Sequence, residues 1–481
     1  MASSPFLSYL LFGSLLYLSC LNNVFCLEKS FGFEEKVTSQ TLHTVQLLSL
    51  LPSTICSHST KVENNKRSVV KVVEKHGPCS QLYKDETTRA PTPAEILEQD
   101  QDRVNSIQSR LSKKPIETDA TTIPAKSGEP IGSGNYIVTV GLGTPKRDLS
   151  LAFDTGSDIT WTQCLPCNAT SCYPQKEPLF DPTKSTSYSN ISCTASEQCS
   201  QLTSSTPTRC SSITSTCIYG IQYGDKSFSI GYLSKERITL SPSDVFNDFL
   251  FGCGRNNQGL FRGIAGLLGL GRDKISLVEQ TAQKYNRIFS YCLPPTSSST
   301  GYLTFGKEDK PASDIKYTPL TTLSQGDSFY GLQLQGISVG GSQVPIPASV
   351  FSSGTVIDSG TVITRLPATA YSAFRSEFRQ QMKDYKLITV TPNFLLDTCY
   401  DFSGHAEVKI PKISFLFGGG TMVDLDVTGI LVVLSKSQIC LAFAGNKDDS
   451  DIAIFGNVQQ KRFEVVYDIV GVRIGFRSAA C

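Results

Sequence analysis

The chain has 481 residues, a net charge of +1, and 40% hydrophobic against 18% charged residues. That leaves room for two or three domains with sizeable cores. Charge stays balanced on both sides of residue 124, so no basic field for nucleic acid is present and none is expected as a partner.

In chain order, residues 6–21 (FLSYLLFGSLLYLSCL) form an apolar run with no charge before Glu28, the length of a signal-peptide core. It is short for the roughly 20 residues of a membrane span. A signal peptide over 1–26 is the expectation, with cleavage after Val24-Phe25-Cys26 and no membrane anchor in the mature form. Residues 27–125 are polar. Leu97, Val104, Ile107 and Leu111 recur at helical spacing, predicting a helix over 94–111 between Pro93 and Lys113-Lys114-Pro115. A Thr/Ser/Gly/Pro-rich link at 118–134 follows, exposed and open to cutting. The segment 27–125 reads as a spacer or as a removable propeptide.

From Tyr136 the pattern turns to β. Tyr136-Ile-Val-Thr-Val reads as a strand, as do 149–153 and 465–468, and residues 368–382 give the best remaining helix. Plentiful Gly, Ser and Thr agree with a mostly β fold rich in turns. Of sixteen cysteines, twelve lie between Cys164 and Cys481, an even number that suits an oxidising compartment and a disulfide framework. Cys164-Leu-Pro-Cys167 could instead hold zinc. A second pair or a placed His is missing, since three of the four His lie near the N-terminus, so no metal and no cofactor is expected. Asn168-Ala-Thr170 and Asn190-Ile-Ser192 are glycosylation acceptors, which calls for an exposed segment.

The most informative feature is an internal repeat. Phe153-Asp154-Thr155-Gly156-Ser157 returns as Ile357-Asp358-Ser359-Gly360-Thr361, and each copy has a later apolar–apolar–Gly partner, Leu267-Leu268-Gly269 and Ile454-Phe455-Gly456. One Asp-Gly-Ser turn is ordinary; two copies in related halves would meet at a pseudo-twofold axis. Two carboxylates in one site do not both ionise easily. One accepts a proton from a water between them while the other donates to a peptide carbonyl. Gly156 and Gly360 let the backbone turn, Thr155 and Ser359 can bond across the axis, and Ser157 and Thr361 can bond the outer carboxylate oxygens. A Ser–His or Cys–His system would rest on His405 alone if cleavage falls near residue 125.

From about Gly134 to Cys481 the chain resembles the pepsin family of aspartic endopeptidases, in its plant nepenthesin-like branch. DTGSDITW, YGDKS, LLGLGR and DSGTVITRL carry the resemblance, with KHGPCSQL in the precursor segment. It implies a bilobal pepsin-like fold, with an N-terminal lobe over 126–320 and a C-terminal lobe over 321–481. Asp154 and Asp358 become the catalytic pair, Tyr223 the flap tyrosine and Trp161 its hydrogen-bond partner. The implied disulfides are Cys164–Cys167, Cys172–Cys253, Cys193–Cys217, Cys199–Cys210, Cys292–Cys481 and Cys399–Cys440. The implied protein is a secreted, monomeric zymogen, extracellular (apoplastic in a plant) or vacuolar. It acts on polypeptide substrates and is inhibited by its own propeptide, with Lys113 or Lys114 as cations for the cleft. The rival readings are a pepsin-fold binding protein or inhibitor without activity, and a DNA-binding relative that the charge balance disfavours.

Overall fold

The computed structural model describes residues 41–51, 53–57, 68–83, 91–111, 136–194, 199, 208–211, 213–223, 227–259, 261–307, 313–323, 326–391, 394–435 and 437–481. The expectations for the leader at 1–26, for Lys113 and Lys114, for the link at 118–134 and for Gly224, Asp225 and Lys226 of the flap fall outside them.

Strands β1 (Leu42–Gln46) and β2 (Ser68–Glu74) and helix α1 (Pro93–Leu111) precede the link. The first half of the remaining chain forms β3 (Tyr136–Leu142), β4 (Arg147–Asp154), β5 (Trp161–Gln163), β6 (Cys217–Gln222), β7 (Phe228–Ser241), β8 (Asp244–Gln258), β9 (Gly266–Gly269), β10 (Ile288–Cys292) and β11 (Gly301–Phe305). The second half forms β12 (Thr355–Ile357), β13 (Thr364–Leu366), α2 (Ala368–Gln381), β14 (Glu407–Pro411), β15 (Phe443–Gly445), β16 (Ala453–Phe455) and β17 (Glu464–Asp468).

The molecule is mostly β and bilobal. One long sheet runs β17-β10-β11-β2-β3-β4-β9-β5-β8-β7-β6, and a second sheet orders β12-β16-β13-β15. Residues 149–154 of β4 are all buried, because the strand lies between antiparallel β3 and parallel β9 and shows solvent neither face nor edge there. The long β7 alternates buried and less buried positions, as a strand with one covered face must. Helix α2 turns Ala370, Tyr371, Phe374 and Phe378 inward at helical spacing. Burying a side chain such as Phe374 contributes roughly 1.5–3 kcal/mol.

The segment before the link is built into both lobes. From the sequence it offers only a helix, yet it also supplies strands. β2 sits between β11 and β3, with Val72 opposite Gly301 on one side and Val138 on the other. Val70 and Val72 are buried there. β1 pairs antiparallel with β14, Leu42 opposite Pro411. Among the described residues no helix is long and apolar enough to cross a membrane.

Fourteen cysteines pair in seven disulfides among the described residues. Cys292–Cys481 and Cys399–Cys440 are as the resemblance implies. The other four implied pairings are not formed. In place of Cys164–Cys167 and Cys172–Cys253 the structure has Cys164–Cys253 and Cys167–Cys172. The parallel pairing of β5 with β8 sets Cys253 opposite Thr162, and the Cys164 amide donates to the Gly254 carbonyl, so sheet register joins these two. In place of Cys193–Cys217 and Cys199–Cys210 the bonds are Cys193–Cys210 and Cys199–Cys217. Burial sorts them: Cys199 and Cys217 are buried, whereas Cys210 is exposed and Cys193 half-buried. Cys56–Cys79, in the segment before the link, is a bond the sequence reading did not foresee. Peptide mapping without reduction should recover Cys164–Cys253, Cys167–Cys172 and Cys56–Cys79. Peptides joined through Cys164–Cys167 would contradict this register.

Candidate active site

Each half of the repeat delivers its aspartate from the end of a buried strand. β4 ends at Asp154, with Leu268 and Gly269 of β9 lying in parallel register beside Phe153 and Asp154. β12 ends at Ile357, paired in the same sense with Phe455 of β16, and the Asp358 amide donates to the Phe455 carbonyl. The apolar–apolar–Gly partners noted in the sequence are therefore the strands that flank the two aspartates.

The two loops are locked together. The Thr155 amide donates to Ser359 Oγ at 3.1 Å, and the Ser359 amide donates to Thr155 Oγ1 at 2.9 Å. Within each loop the carboxylate is held twice. Ser157 Oγ donates to Asp154 Oδ2 at 2.8 Å and the Gly156 amide to Oδ1 at 3.0 Å. Thr361 Oγ1 donates to Asp358 Oδ2 at 2.5 Å and the Gly360 amide to Oδ1 at 3.2 Å. Both aspartates are buried, Asp358 completely.

Between them lies a guanidinium from helix α1. Arg103 Nη2 donates to Asp154 Oδ1 at 2.6 Å and to Asp358 Oδ1 at 2.8 Å, and its Nε donates to Asp358 Oδ2 at 2.8 Å. One nitrogen thus bonds both carboxylates. The bare Cα atoms of Gly156 and Gly360 leave the space: a Cβ there would sit 2.7 Å from Arg103 Nη2 and 2.2 Å from Arg103 Cζ.

The helix is positioned from its first turn. Thr92 and Glu95 cap it reciprocally, the Thr92 amide donating to Glu95 Oε2 at 2.6 Å and the Glu95 amide to Thr92 Oγ1 at 3.3 Å. Leu97 packs among Val362, Ile363 and Val458, and Val104 and Ile107 among Phe329, Val356 and Ile454. Gln108 bonds the backbone of Ile452 in both directions. One turn before Arg103, the buried carboxylate of Asp100 meets Arg365 Nη2 at 2.9 Å and accepts from the Val362 amide at 2.6 Å.

β6 and β7 pair antiparallel, with Gln222 opposite Phe228 next to Tyr223. Tyr223 accepts a hydrogen bond from Trp161 Nε1 at 2.7 Å, and Phe261 packs edge-on against both rings. Asn168 and Asn190 are both exposed. Cys164 and Cys167 are each in a disulfide, which removes them as thiolate ligands for zinc.

This is two carboxylates converging on one point, each oriented by a hydroxyl and a glycine amide, on two halves built alike. The chain belongs to the plant pepsin-like aspartic protease family. It matches the families described as Xylanase inhibitor N-terminal over residues 136–307 and Xylanase inhibitor C-terminal over 329–478. An aspartyl protease family protein of Arabidopsis thaliana is 56% identical over 458 residues, covering 94% of this chain and 95% of that protein. Aspartyl protease AED1 of Arabidopsis thaliana is 50% identical, over 96% of this chain and 97% of its own length. Aspartic proteinase nepenthesin-2 of Nepenthes gracilis is 38% identical, over 79% of this chain and 83% of its own. Among solved structures, Basic 7S globulin from soybean has the same fold, with a TM-score of 0.57 at 23% identity over 72% of this chain and 92% of that one.

For a member of this family, the residues that the sequence reading missed matter most. Lys113 and Lys114 were the expected cations, whereas the described cation in the cleft is Arg103. Asp100 lies three residues after Leu97 and four before Val104, and Arg103 lies four before Ile107, so both charges border the apolar face of α1. Charges placed on a helix's buried face were the available signal. Asp158, four residues after Asp154, was also missed. Burial pushes its carboxyl up to about 6, against bonds from Ser328 and the Asp273 amide.

The carboxylates around α1 respond to pH with opposite signs. Burial raises Asp358, but the charge and hydrogen bonds of Arg103, with those of Thr361 and Gly360, outweigh it and leave the pKa below the ordinary value. A carboxylate depressed on docking strengthens docking above its free pKa of roughly 3.9 and loses that strength as pH falls through the depressed value. Asp100 is the reverse. Burial holds it above the ordinary value despite Arg365, so acid does not weaken docking there. Protection factors for amide exchange across residues 93–111 should be high near neutral pH and begin to fall below about pH 4. In Arg103→Gln they should be lower at both. Undiminished protection of the wild-type helix at about pH 3 would contradict the assignment of the acid-sensitive contact to Asp358.

Proposed function

We propose that this chain is the zymogen of a secreted aspartic endopeptidase, with Asp154 and Asp358 as its catalytic pair. The observation that carries the reading is the convergence of both carboxylates on a single nitrogen of Arg103. With the helix gone, that position is where a water would be held between them. Two like charges so close do not both ionise, the familiar state of aspartic proteases. One carboxylate takes the water's proton as it attacks the peptide carbonyl, and the other gives its proton to the carbonyl oxygen. Ser157 and Thr361 fix the outer oxygens, so each carboxylate aims its inner oxygen at the water.

The remaining parts fit this reading. Residues 1–26 serve as the signal peptide and 27–125 as the propeptide, with Arg103 holding the pair shut until acid weakens it. Residues 126–320 and 321–481 act as the two lobes, and Tyr223, steadied by Trp161, closes over a bound polypeptide. The protein works as a monomer outside the cell or in the vacuole, glycosylated at Asn168 and Asn190. A second reading, a binding protein without activity, draws on the description of the matched families as xylanase inhibitors. The retained aspartates and their hydroxyl partners weigh against it.

After acid treatment, the wild-type chain should digest denatured protein and be blocked by a statine-type mimic. Asp154→Asn and Asp358→Asn should each lower kcat/KM by about 10³-fold or more, since acid–base catalysis by a positioned group supplies that order. An Asn variant that turns over like wild type removes the mechanism, and an inert but correctly processed wild type supports the binding protein.

A further inference from the structure

Arg365 belongs to the second lobe, on β13, seven residues beyond Asp358. Its side chain is fully buried, as is that of Asp100, the carboxylate facing it. Asp100 enters that place from the helix. Its Oδ1 accepts from the Val362 amide at 2.6 Å, and its Oδ2 accepts from the Ile363 amide at 3.2 Å and lies 2.9 Å from Arg365 Nη2. Two backbone donors and a guanidinium are thus aimed at one carboxylate. Arg365 Nη1 donates to the Ile363 carbonyl at 3.0 Å, which fixes the plane of the group, while Nε and Nη2 make no hydrogen bond among the described residues, Nη2 meeting Asp100 as an ion pair only.

When α1 leaves, Asp100 leaves with it and the donors stay, because all three sit on the lobe. A buried guanidinium without a counter-ion is costly, and two amides facing an emptied cleft wall have lost their acceptor. The place is close to the chemistry. Asp100 precedes Arg103 by one helical turn, about 4.5 Å of rise, and Arg103 marks the reaction centre. An extended peptide covers that length in one or two residues.

We propose that Arg365, with the Val362 and Ile363 amides, forms a subsite for the side-chain carboxylate of an acidic residue in a polypeptide substrate, one or two residues from the scissile bond. The inference rests on the protease reading for its setting, and Asp100 occupies the subsite in the precursor. Planar guanidinium and paired amide donors suit a carboxylate better than an amide, because an amide nitrogen would set a donor against donors.

The test uses the full chain, expressed and acid-processed, with matched peptides that differ only in Glu or Gln at each position within three residues of the cut. Assay at about pH 5.5 keeps the glutamate ionised. At one position the Glu peptide should exceed its Gln partner at least tenfold in kcat/KM. That ratio should collapse toward one in Arg365→Met. The same pair built around an uncleavable statine core reads the subsite by calorimetry without turnover. Tenfold tighter binding of the Glu form supports the subsite even if nothing is cleaved, a result that would sink only the protease reading. Equal kcat/KM and equal affinity for Glu and Gln at every position in the wild type overturn the subsite, whether or not Arg365→Met folds.

Discussion

The arrangement depends on one guanidinium shared by two carboxylates. Asp154 and Asp358 come from different lobes and are both buried, and a pair of that kind without a cation must give up charge by binding a proton. Arg103 removes that need. It offers Nη2 to both inner oxygens and Nε to Asp358. Removing one partner of such a buried set typically costs about 3–5 kcal/mol, because the other is left unpaired. Here the cost is relieved by protonation, since two carboxylates can share a proton and a water. On the proposed reading, precursor and enzyme are two solutions to one electrostatic problem, the first satisfied by a side chain and the second by solvent.

That guanidinium is held by a segment anchored at three places. β1 extends the strand at Glu407–Pro411, β2 lies inside the long sheet between β11 and β3, and α1 packs on Val362, Ile363, Phe329 and Ile454. Among the described residues of that segment, α1 is the part that meets the aspartates. Its contacts are a mixture of apolar packing, which acid does not touch, and ion pairs with opposite pH dependence at Asp358 and Asp100. Acid therefore leaves the packing and the Asp100 contacts in place and acts on the helix at Asp358. A helix in a protein draws most of its stability from the packing of its buried face, so loss of the Arg103 contact threatens its order as well as its position.

The repeat of Asp-Thr-Gly-Ser and Asp-Ser-Gly-Thr made the two aspartates, their hydroxyl partners and the flanking strands legible, because each needs particular residue types at fixed spacing. α1 and α2 were legible through the spacing of Leu97, Val104 and Ile107, and of Tyr371, Phe374 and Phe378. β2 was overlooked, although the four valines of SVVKVVE are the β-branched run that marks a strand. The disulfides in the span from Cys164 to Cys253 were not legible. Which of two nearby cysteines pairs with Cys253 or Cys217 is decided by sheet register and burial, and spacing carries neither. Arg103 was overlooked in favour of Lys113 and Lys114 because closeness to the link was weighed above the face of the helix on which a charge lies.

The most direct test of the central claim is whether the place between the carboxylates is filled in the intact chain. In the proposed enzyme a statine-type mimic would put its hydroxyl where Arg103 Nη2 now sits, so the two would exclude each other. Calorimetry near neutral pH, where α1 is docked, should register no binding to the intact wild-type chain and one equivalent binding to intact Arg103→Ala. Stoichiometric, equally tight binding to the intact wild type would mean that Arg103 does not hold the pair, and the account would fail at its centre.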